Sequence, residues 1–157
     1  MRTNLTKLIC LSLLVVGIAA CEKDDDDDNT VNPVFNLRGN ANGAQEAPTR
    51  VTTTATGTLS GTYNKETNAL NYTVNWTGLT GGNPTAMHFH GPADPGIAAG
   101  VIVTITGFPT TASGTVTGSA TLTDAQETDF MNGLWYYNIH NTTYPAGEIR
   151  GQVFLTQ

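Results

Sequence analysis

The sequence is poor in cysteine, histidine and positive charge. Its 157 residues contain two cysteines, three histidines and seven lysines plus arginines against thirteen acidic residues, for a formal net charge of -6. The shortage of lysine and arginine excludes nucleic acid as the main partner, because phosphate binding needs clustered positive charges. Two cysteines cannot build a disulfide-rich scaffold, so a folded core has to supply the stability. At roughly 100–200 residues per domain, the length allows one globular domain.

Motifs for nucleophilic catalysis are missing as well. The sequence holds neither a Gly-x-Ser-x-Gly turn nor a phosphate-binding loop. Beyond residue 20, serine occurs only at Ser60, Ser113 and Ser119, each in a context rich in glycine and threonine. These absences disfavour hydrolase chemistry and favour a non-catalytic protein.

The N-terminus carries an export signal. Two positive charges precede the apolar run Leu8–Ala20, which is too short for a comfortable membrane span. The run ends in Ile-Ala-Ala-Cys, which resembles the lipobox of bacterial lipoproteins, where the cysteine receives diacylglycerol before cleavage. The sequence therefore predicts a lipoprotein signal peptide over residues 1–20, covalent diacylglycerol at Cys21 and attachment of the mature chain to a membrane.

A strongly acidic stretch follows the predicted lipidation site. Residues 22–28 contain six acidic residues and one lysine, and such a run of like charges stays solvated rather than collapsing. We interpret residues 21–33 as a lipid-anchored acidic tether. The stretch also resembles the acidic signal that marks some Gram-negative lipoproteins for display on the cell surface, with a plain spacer as the alternative. The predicted location is the cell envelope, with the lipid anchor in the outer membrane.

Residues 34–157 alternate short β-rich runs with glycine, asparagine or proline. This spacing predicts an all-β fold, an antiparallel, Greek-key-like β-sandwich of about eight strands with one short helix. The clearest strand is Asn68–Trp76, in which Leu70, Tyr72, Val74 and Trp76 alternate with polar residues and predict one buried face. The other predicted strands are Val34–Arg38, Ala55–Tyr63, Ala86–His90, Val101–Ile105, Gly114–Leu122, Leu134–His140 and Ile149–Leu155.

One helix interrupts the strands. Thr123 is placed to cap its N-terminus, with Glu127 as the capping-box partner, and Gly133 lies where such a helix would stop. The pattern predicts one or two helical turns.

The three histidines fall in two short motifs. His88 and His90 lie in Met-His-Phe-His-Gly, and His140 ends the run Trp-Tyr-Tyr-Asn-Ile-His. Positions i and i+2 of a strand share a face at about 6.5–7 Å, so two imidazoles can converge on one ion, with His140 as a third ligand from a neighbouring strand. Imidazole suits copper and zinc, and Asp94 or Glu148 could add a carboxylate. The sequence thus contains a candidate site for one Cu or Zn ion.

A structural role for the histidines is the alternative. In that case they satisfy loop backbone groups, while Met87 and Phe89 face the core. Glu148 and Arg150 share a strand face and are expected to pair with each other or with the histidine segment. Together with Asn138 they would orient the histidines from a second layer of contacts.

Three ordered blocks of the sequence resemble the CHRD domain, a module described in chordin and also found singly in secreted bacterial proteins. The first block is Leu37-Arg38-Gly39, then Gln45-Glu46-Ala47-Pro48 and Ala55-Thr56-Gly57. The second is Met87-His88-Phe89-His90-Gly91-Pro92, with Gly96 and Val101-Ile102-Val103. The third runs from Trp135 to Asn141 and from Tyr144 to Gln152.

This resemblance implies a β-sandwich over residues 34–157. In chordin the module associates with extracellular growth factors, which does not transfer to a bacterial lipoprotein. The His-x-His motif is also similar to that of copper-zinc superoxide dismutase, but that enzyme uses more histidines, and an aspartate, to hold two metals. We therefore expect a lipid-anchored envelope protein with a non-catalytic binding or display role toward an unidentified protein or extracellular ligand. The alternative is a mononuclear Cu or Zn protein, redox-active if the ion is copper.

Overall fold

A computed structural model of the chain describes residues 32–157. The predicted signal peptide, Cys21 and all of the predicted tether except Asn32 and Pro33 lie outside the described residues. Within the described part, no helix has the length and apolar character needed to cross a membrane. The strands are β1 Val34–Asn42, β2 Thr56–Asn64, β3 Ala69–Thr77, β4 Pro84–His90, β5 Val101–Ile105, β6 Gly114–Thr121, β7 Tyr136–Asn141, β8 Ile149–Gln152 and β9 Phe154–Thr156.

The predicted all-β, antiparallel fold with one short helix is confirmed, and each predicted strand overlaps an observed one. The last predicted strand, Ile149–Leu155, divides into β8 and β9 around Val153. The division has a topological reason, because the chain changes its pairing partner at this residue. β8 pairs mainly with β7, whereas β9 pairs with β1.

The strands form one sheet rather than the two separate sheets that a sandwich predicts. The strand order is β5-β4-β7-β8-β1-β2-β3-β6, with β9 beside β1. The nine-residue strand β1 pairs with β2 along its whole length and meets β8 and β9 on its other edge. Strand β1 therefore joins the two halves into a single sheet, which is nearly closed and barrel-like.

The core lies on the inner face of this sheet. The alternating residues of β3 are buried as predicted, since Leu70 and Val74 have no exposed surface and Trp76 is 1% exposed. On β4, Met87 and Phe89 are likewise fully buried. Because successive side chains of a strand point to opposite faces, their neighbours on β4 must point away from the core.

The helix α1 spans Asp124–Met131 and begins with a capping box. Thr123 is the N-cap, as predicted, but its partner is Gln126 rather than Glu127. The third residue of the helix counts from Asp124, so it is the Gln126 side chain that accepts the backbone N–H of Thr123 at 2.9 Å. Gly133 follows the helix with φ of +72°, a left-handed conformation that favours glycine, and ends it as predicted.

Candidate metal centre and its polar surroundings

Strand register brings the three histidines to one face of the sheet. In the β4–β7 pair, His90 lies opposite Tyr136, His88 opposite Asn138 and Ala86 opposite His140. The side chains at all of these positions point away from the core. Because His88 lies opposite Asn138, His140, two residues further along β7, is its diagonal neighbour on the same face. Alternation along one strand is enough to predict that His88 and His90 share a face. That His140 lies beside them could be seen only from the pairing of β7 with β4.

The same face continues onto β8. Gln152 lies opposite Tyr136, and Arg150 lies opposite Asn138. Two loops cover this side of the sheet, as their hydrogen bonds show. Gln152 Nε2 donates to the carbonyl of Ala93 in one loop, and His140 Nδ1 contacts the carbonyl of Pro145 in the other. On β7 and β8 the outward face is consequently a buried polar layer, which includes Asn138, Arg150 and Gln152, whereas His88 on β4 is half-buried.

The three imidazoles lie close enough to share one ion. One ring nitrogen from each of His88, His90 and His140 falls within 4.8 Å of the other two. His88 Nδ1 and His140 Nε2 are 3.1 Å apart. The site that the sequence proposed therefore has a compact set of three nitrogen donors.

Hydrogen bonds to carbonyl groups fix the protonation of His140. Its Nδ1 lies 3.0 Å from the carbonyl oxygen of Pro145, which can only accept, so Nδ1 carries the proton. The Nε2 of neutral His140 then presents a lone pair toward His88, whose Nδ1–H donates to it. If His88 moves its proton to Nε2, both facing nitrogens offer lone pairs to a cation. This carbonyl contact is the arrangement that orients histidine ligands in metal sites.

His90 is held between two oxygen atoms. Its Nδ1 lies 3.0 Å from the carbonyl of Ala99, and its Nε2 lies 2.9 Å from Oδ1 of Asn138. A neutral imidazole donates only one hydrogen bond. In the tautomer that donates from Nδ1 to the Ala99 carbonyl, Nε2 is the nitrogen that can bind an ion, and it lies beside the acceptor oxygen of Asn138.

The surroundings keep the imidazoles neutral. Burial lowers the pKa of His140 to about 4; the hydrogen bond to the Pro145 carbonyl acts in the opposite direction, and the neighbouring His88 and His90 lower the pKa further. Burial also lowers the pKa of His88 and of His90. Only the neutral ring can bind a metal, so these shifts favour ligation near neutral pH.

Arg150 reaches the histidines through an aromatic ring. Its guanidinium carbon lies 3.4 Å from the centre of the Tyr136 ring, and that ring stacks on His90 at 4.8 Å with an interplanar angle of 2°. Arg150 is therefore placed behind His90, with the Tyr136 ring between them. Tyr136 is a residue that sequence reasoning overlooked, although its parity with Asn138 and His140 could have revealed it.

The hydrogen-bond partners of the Glu148 carboxylate include neither a histidine nor Arg150. This carboxylate accepts from Thr53 Oγ1 at 2.6 Å, from the backbone and hydroxyl of Thr80, from the backbone of Gly81 and from Asn141 Nδ2. Burial raises its pKa, but these donors outweigh burial and hold the pKa below its usual value. Glu148 thus ties the segment after β3 to the start of β8. Asp94, the other candidate carboxylate, approaches Arg150 only through its backbone carbonyl.

Glu46 is a second buried carboxyl, and it behaves in the opposite way. It is 5% exposed, and burial raises its pKa from 4.5 to about 7, although Arg150 and a backbone hydrogen bond from Ala47 act against this. The folded state therefore holds the Glu46 proton more tightly than the unfolded chain does. The contribution of Glu46 to the free energy of unfolding is therefore fully present below pH 4.5 and is lost as the pH rises through about 7.

Glu46→Gln is accordingly expected to stabilise the protein at pH 8, because glutamine mimics the protonated carboxyl. The free energy of unfolding should rise by about 1–3 kcal/mol at pH 8 and change little at pH 4. Urea unfolding at the two pH values measures the difference. The exposed Glu66→Gln is the matched control, and an equal effect of both substitutions would contradict the assignment.

A comparison with protein families identifies one family over most of the described residues. The model of the CHRD domain matches residues 37–153, a span that runs from β1 to the residue after β8 and contains all three histidines, Glu46 and Glu148. No match was found among curated proteins or among solved structures. Since the family model covers most of the sequence, the chain belongs to the CHRD family.

Proposed function

We propose that this CHRD protein is a lipid-anchored component of the cell envelope that binds one zinc or copper ion through His88, His90 and His140. The observation that carries the proposal is the convergence of three imidazole nitrogens within 4.8 Å. Neutral imidazole is a preferred ligand of both metals. The binding role expected from the sequence would then be directed at a metal ion, without a catalytic step.

The distances suit a single ion. With Zn–N bonds near 2.0–2.1 Å, two nitrogens on a tetrahedral ion lie about 3.3 Å apart, and two on one ion are never more than about 4.2 Å apart. The separation of 3.1 Å between His88 and His140 is close to the tetrahedral value. For the widest possible pair, at 4.8 Å, a shift of about 1.5 Å in one ring reaches the tetrahedral separation.

Removal of any one histidine should weaken metal binding strongly. We expect His88→Ala, His90→Ala and His140→Ala each to lower the affinity for Zn²⁺ or Cu²⁺ by about 100-fold or more, since even loss of an orienting partner costs 10–100-fold. Excess metal, at about 100 times the Kd, should stabilise the wild type by about 2.7 kcal/mol and raise its Tm. Calorimetric titration and elemental analysis of the full-length chain, purified without a histidine tag, provide the measurements.

Thr104→Ala is the matched control, because Thr104 lies opposite His88 on β5 and is exposed. Its metal affinity should equal that of the wild type. Circular dichroism of each variant separates loss of the site from loss of the fold. Equal metal content in the wild type and in a folded triple histidine variant would disprove the proposal and leave the histidines with a structural role.

The lipid anchor is tested by Cys21→Ser. The substitution removes the sulfur that the lipobox motif presents, so metabolic labelling with a fatty acid should disappear and the protein should leave the membrane fraction. Cys10→Ser, which alters the only other cysteine in the sequence, serves as the control and should retain the label. A wild-type chain that carries no label would exclude the anchor without affecting the metal proposal.

A further inference from the structure

Asn138 lies among the three histidines. Strand register places it directly opposite His88 on β4, and it precedes His140 by two residues on β7, so it shares their outward face. Residues directly opposite each other have Cβ atoms about 4.5–5.5 Å apart, and His90 is the diagonal neighbour of Asn138 on the same face. Asn138 is 3% exposed. Four side chains of two paired strands thus form one cluster, and the fourth offers an amide instead of an imidazole.

A chain of three short polar contacts passes through His90 and Asn138. The carbonyl oxygen of Ala99 lies 3.0 Å from His90 Nδ1, and His90 Nε2 lies 2.9 Å from Asn138 Oδ1. On its other side, Asn138 Nδ2 lies 3.3 Å from the carbonyl oxygen of Ala146. Both ends of the chain are carbonyl oxygens, which only accept hydrogen bonds. Every hydrogen in these contacts therefore has to come from His90 or Asn138.

The three contacts share only two donors. A neutral imidazole has one N–H, and an amide has N–H groups on one side and an oxygen on the other. With the proton on His90 Nδ1, the lone pairs of His90 Nε2 and Asn138 Oδ1 face each other at 2.9 Å. A proton on Nε2 moves this conflict to the Ala99 carbonyl, and a rotated amide moves it to the Ala146 carbonyl. In every arrangement, one pair of acceptors meets without a hydrogen between them.

A cation at this contact removes the conflict. A metal ion bound by both His90 Nε2 and Asn138 Oδ1 uses the two facing lone pairs, and the N–H groups of the same residues remain on the carbonyls of Ala99 and Ala146. A second proton on His90 is the other cation that could serve. Burial disfavours it, because the pKa of His90 is lowered despite the hydrogen bonds to Ala99 and Asn138 that act in the opposite direction. Near neutral pH a metal ion therefore suits the contact better than a proton.

We infer that Asn138 Oδ1 is the fourth ligand of the ion and completes a site of three nitrogens and one oxygen. This inference rests on the proposed function, because it requires the histidines to bind the metal. Bonds of 2.0–2.2 Å place two ligand atoms about 2.9 Å apart at a bond angle of 90° and about 3.4 Å apart at the tetrahedral angle. The separation of 2.9 Å between His90 Nε2 and Asn138 Oδ1 lies at the lower end of this range.

A fourth protein ligand closes the site to outside molecules. Catalytic zinc sites keep one position for water or substrate, whereas structural sites fill all four positions with protein ligands. The carbonyls of Ala99 and Ala146 hold the two ligating side chains through their remaining N–H groups, as outer contacts do in metal sites. Asn138 thus makes this a site that holds an ion and leaves no position at which a substrate could be activated.

Access of azide to the bound metal tests this inference. The full-length chain is loaded with Co²⁺, whose visible spectrum reports its coordination, and azide is added in large excess. The wild-type spectrum should not change, because no coordination position is open. Asn138→Ala should bind Co²⁺ about tenfold more weakly or worse, and azide should shift its spectrum by taking the vacated position. Asn71→Ala, at an exposed position of β3, is the matched control and should behave like the wild type.

Asn138→Asp keeps the test decisive if the alanine variant does not fold. A carboxylate oxygen is a good ligand for zinc, so this variant should bind Co²⁺ at least as tightly as the wild type and should exclude azide. A residue that only orients His90 would not protect the metal from azide in this way. Circular dichroism of each variant shows whether the fold is intact.

Two results would overturn this inference and leave the three-histidine site in place. One is a spectral change when azide is added to the Co²⁺-loaded wild type or to a folded Asn138→Asp variant. The other is a folded Asn138→Ala variant that binds Co²⁺ as tightly as the wild type and does not respond to azide. A wild-type chain that takes up neither Co²⁺ nor Zn²⁺ would instead overturn the proposed function, and this inference with it.

Discussion

Trp76→Ala is expected to lower the free energy of unfolding by about 3–5 kcal/mol, enough to unfold much of the population of a domain without disulfides. Trp76 is the residue before the last of β3 and is 1% exposed, and its indole N–H donates to the carbonyl of Thr111 at 2.9 Å. The ring packs so closely on Gly114 that a Cβ there would lie 2.6 Å from Trp76 Cζ2. Alanine would leave a large cavity and would remove the donor to the Thr111 carbonyl.

Urea unfolding followed by far-ultraviolet circular dichroism measures the loss. The neighbouring residue Thr77 is exposed at the end of the same strand, so Thr77→Ala is the matched control and should change the stability by less than about 0.5 kcal/mol. A loss below about 1 kcal/mol for Trp76→Ala would mean that the inner face of β3 carries little of the stability.

The second large effect is expected at Glu148. Glu148→Ala should cost about 3–5 kcal/mol, because it removes a fully buried carboxylate that accepts from Thr53, Thr80, Gly81 and Asn141. Glu148→Gln keeps the shape but turns an amide N–H toward donors, so it should also destabilise, by a smaller amount. Urea unfolding at pH 7 measures both, with Glu66→Gln at an exposed position as control.

The pH dependence gives this assignment a separate test. Since the folded pKa of Glu148 lies below the usual value of 4.5, its stabilisation is complete above pH 4.5 and is lost as the pH falls through the folded pKa. The difference in stability between the wild type and Glu148→Gln should therefore shrink on acidification. A constant difference from pH 7 to pH 3 would contradict a charged, hydrogen-bonded carboxylate.

Local pattern was sufficient for much of the fold. Period-two alternation identified β3 and its buried face, because that face must be apolar wherever a strand lies on a core. The same rule separated Met87 and Phe89 from His88 and His90. The capping signal located α1 but assigned the capping-box partner to Glu127 instead of Gln126. Backbone geometry sets the boundary of the first turn, and composition alone does not show it to the residue.

The arrangement of strands was beyond the reach of local pattern. Alternation states that a strand has a buried face, but it does not say which strands are neighbours or whether the sheet is continuous. Here β1 pairs on both edges and joins all strands into one nearly closed sheet, where the sequence predicted a sandwich. The continuity of the sheet depends on hydrogen bonds between strands far apart in the sequence, and the residues of β1 carry no local signal for these bonds.

The sequence by itself determined the candidate metal ligands, since His88, His90 and His140 are its only histidines and two of them share a strand face. Only the tertiary structure decided the roles of the buried charges. Glu148 and Arg150 look like a pair on one strand, yet one is held by donors from the β3–β4 connection and the other stacks on Tyr136. Desolvation must be compensated by whatever partners the fold brings near, and those partners come from distant parts of the chain.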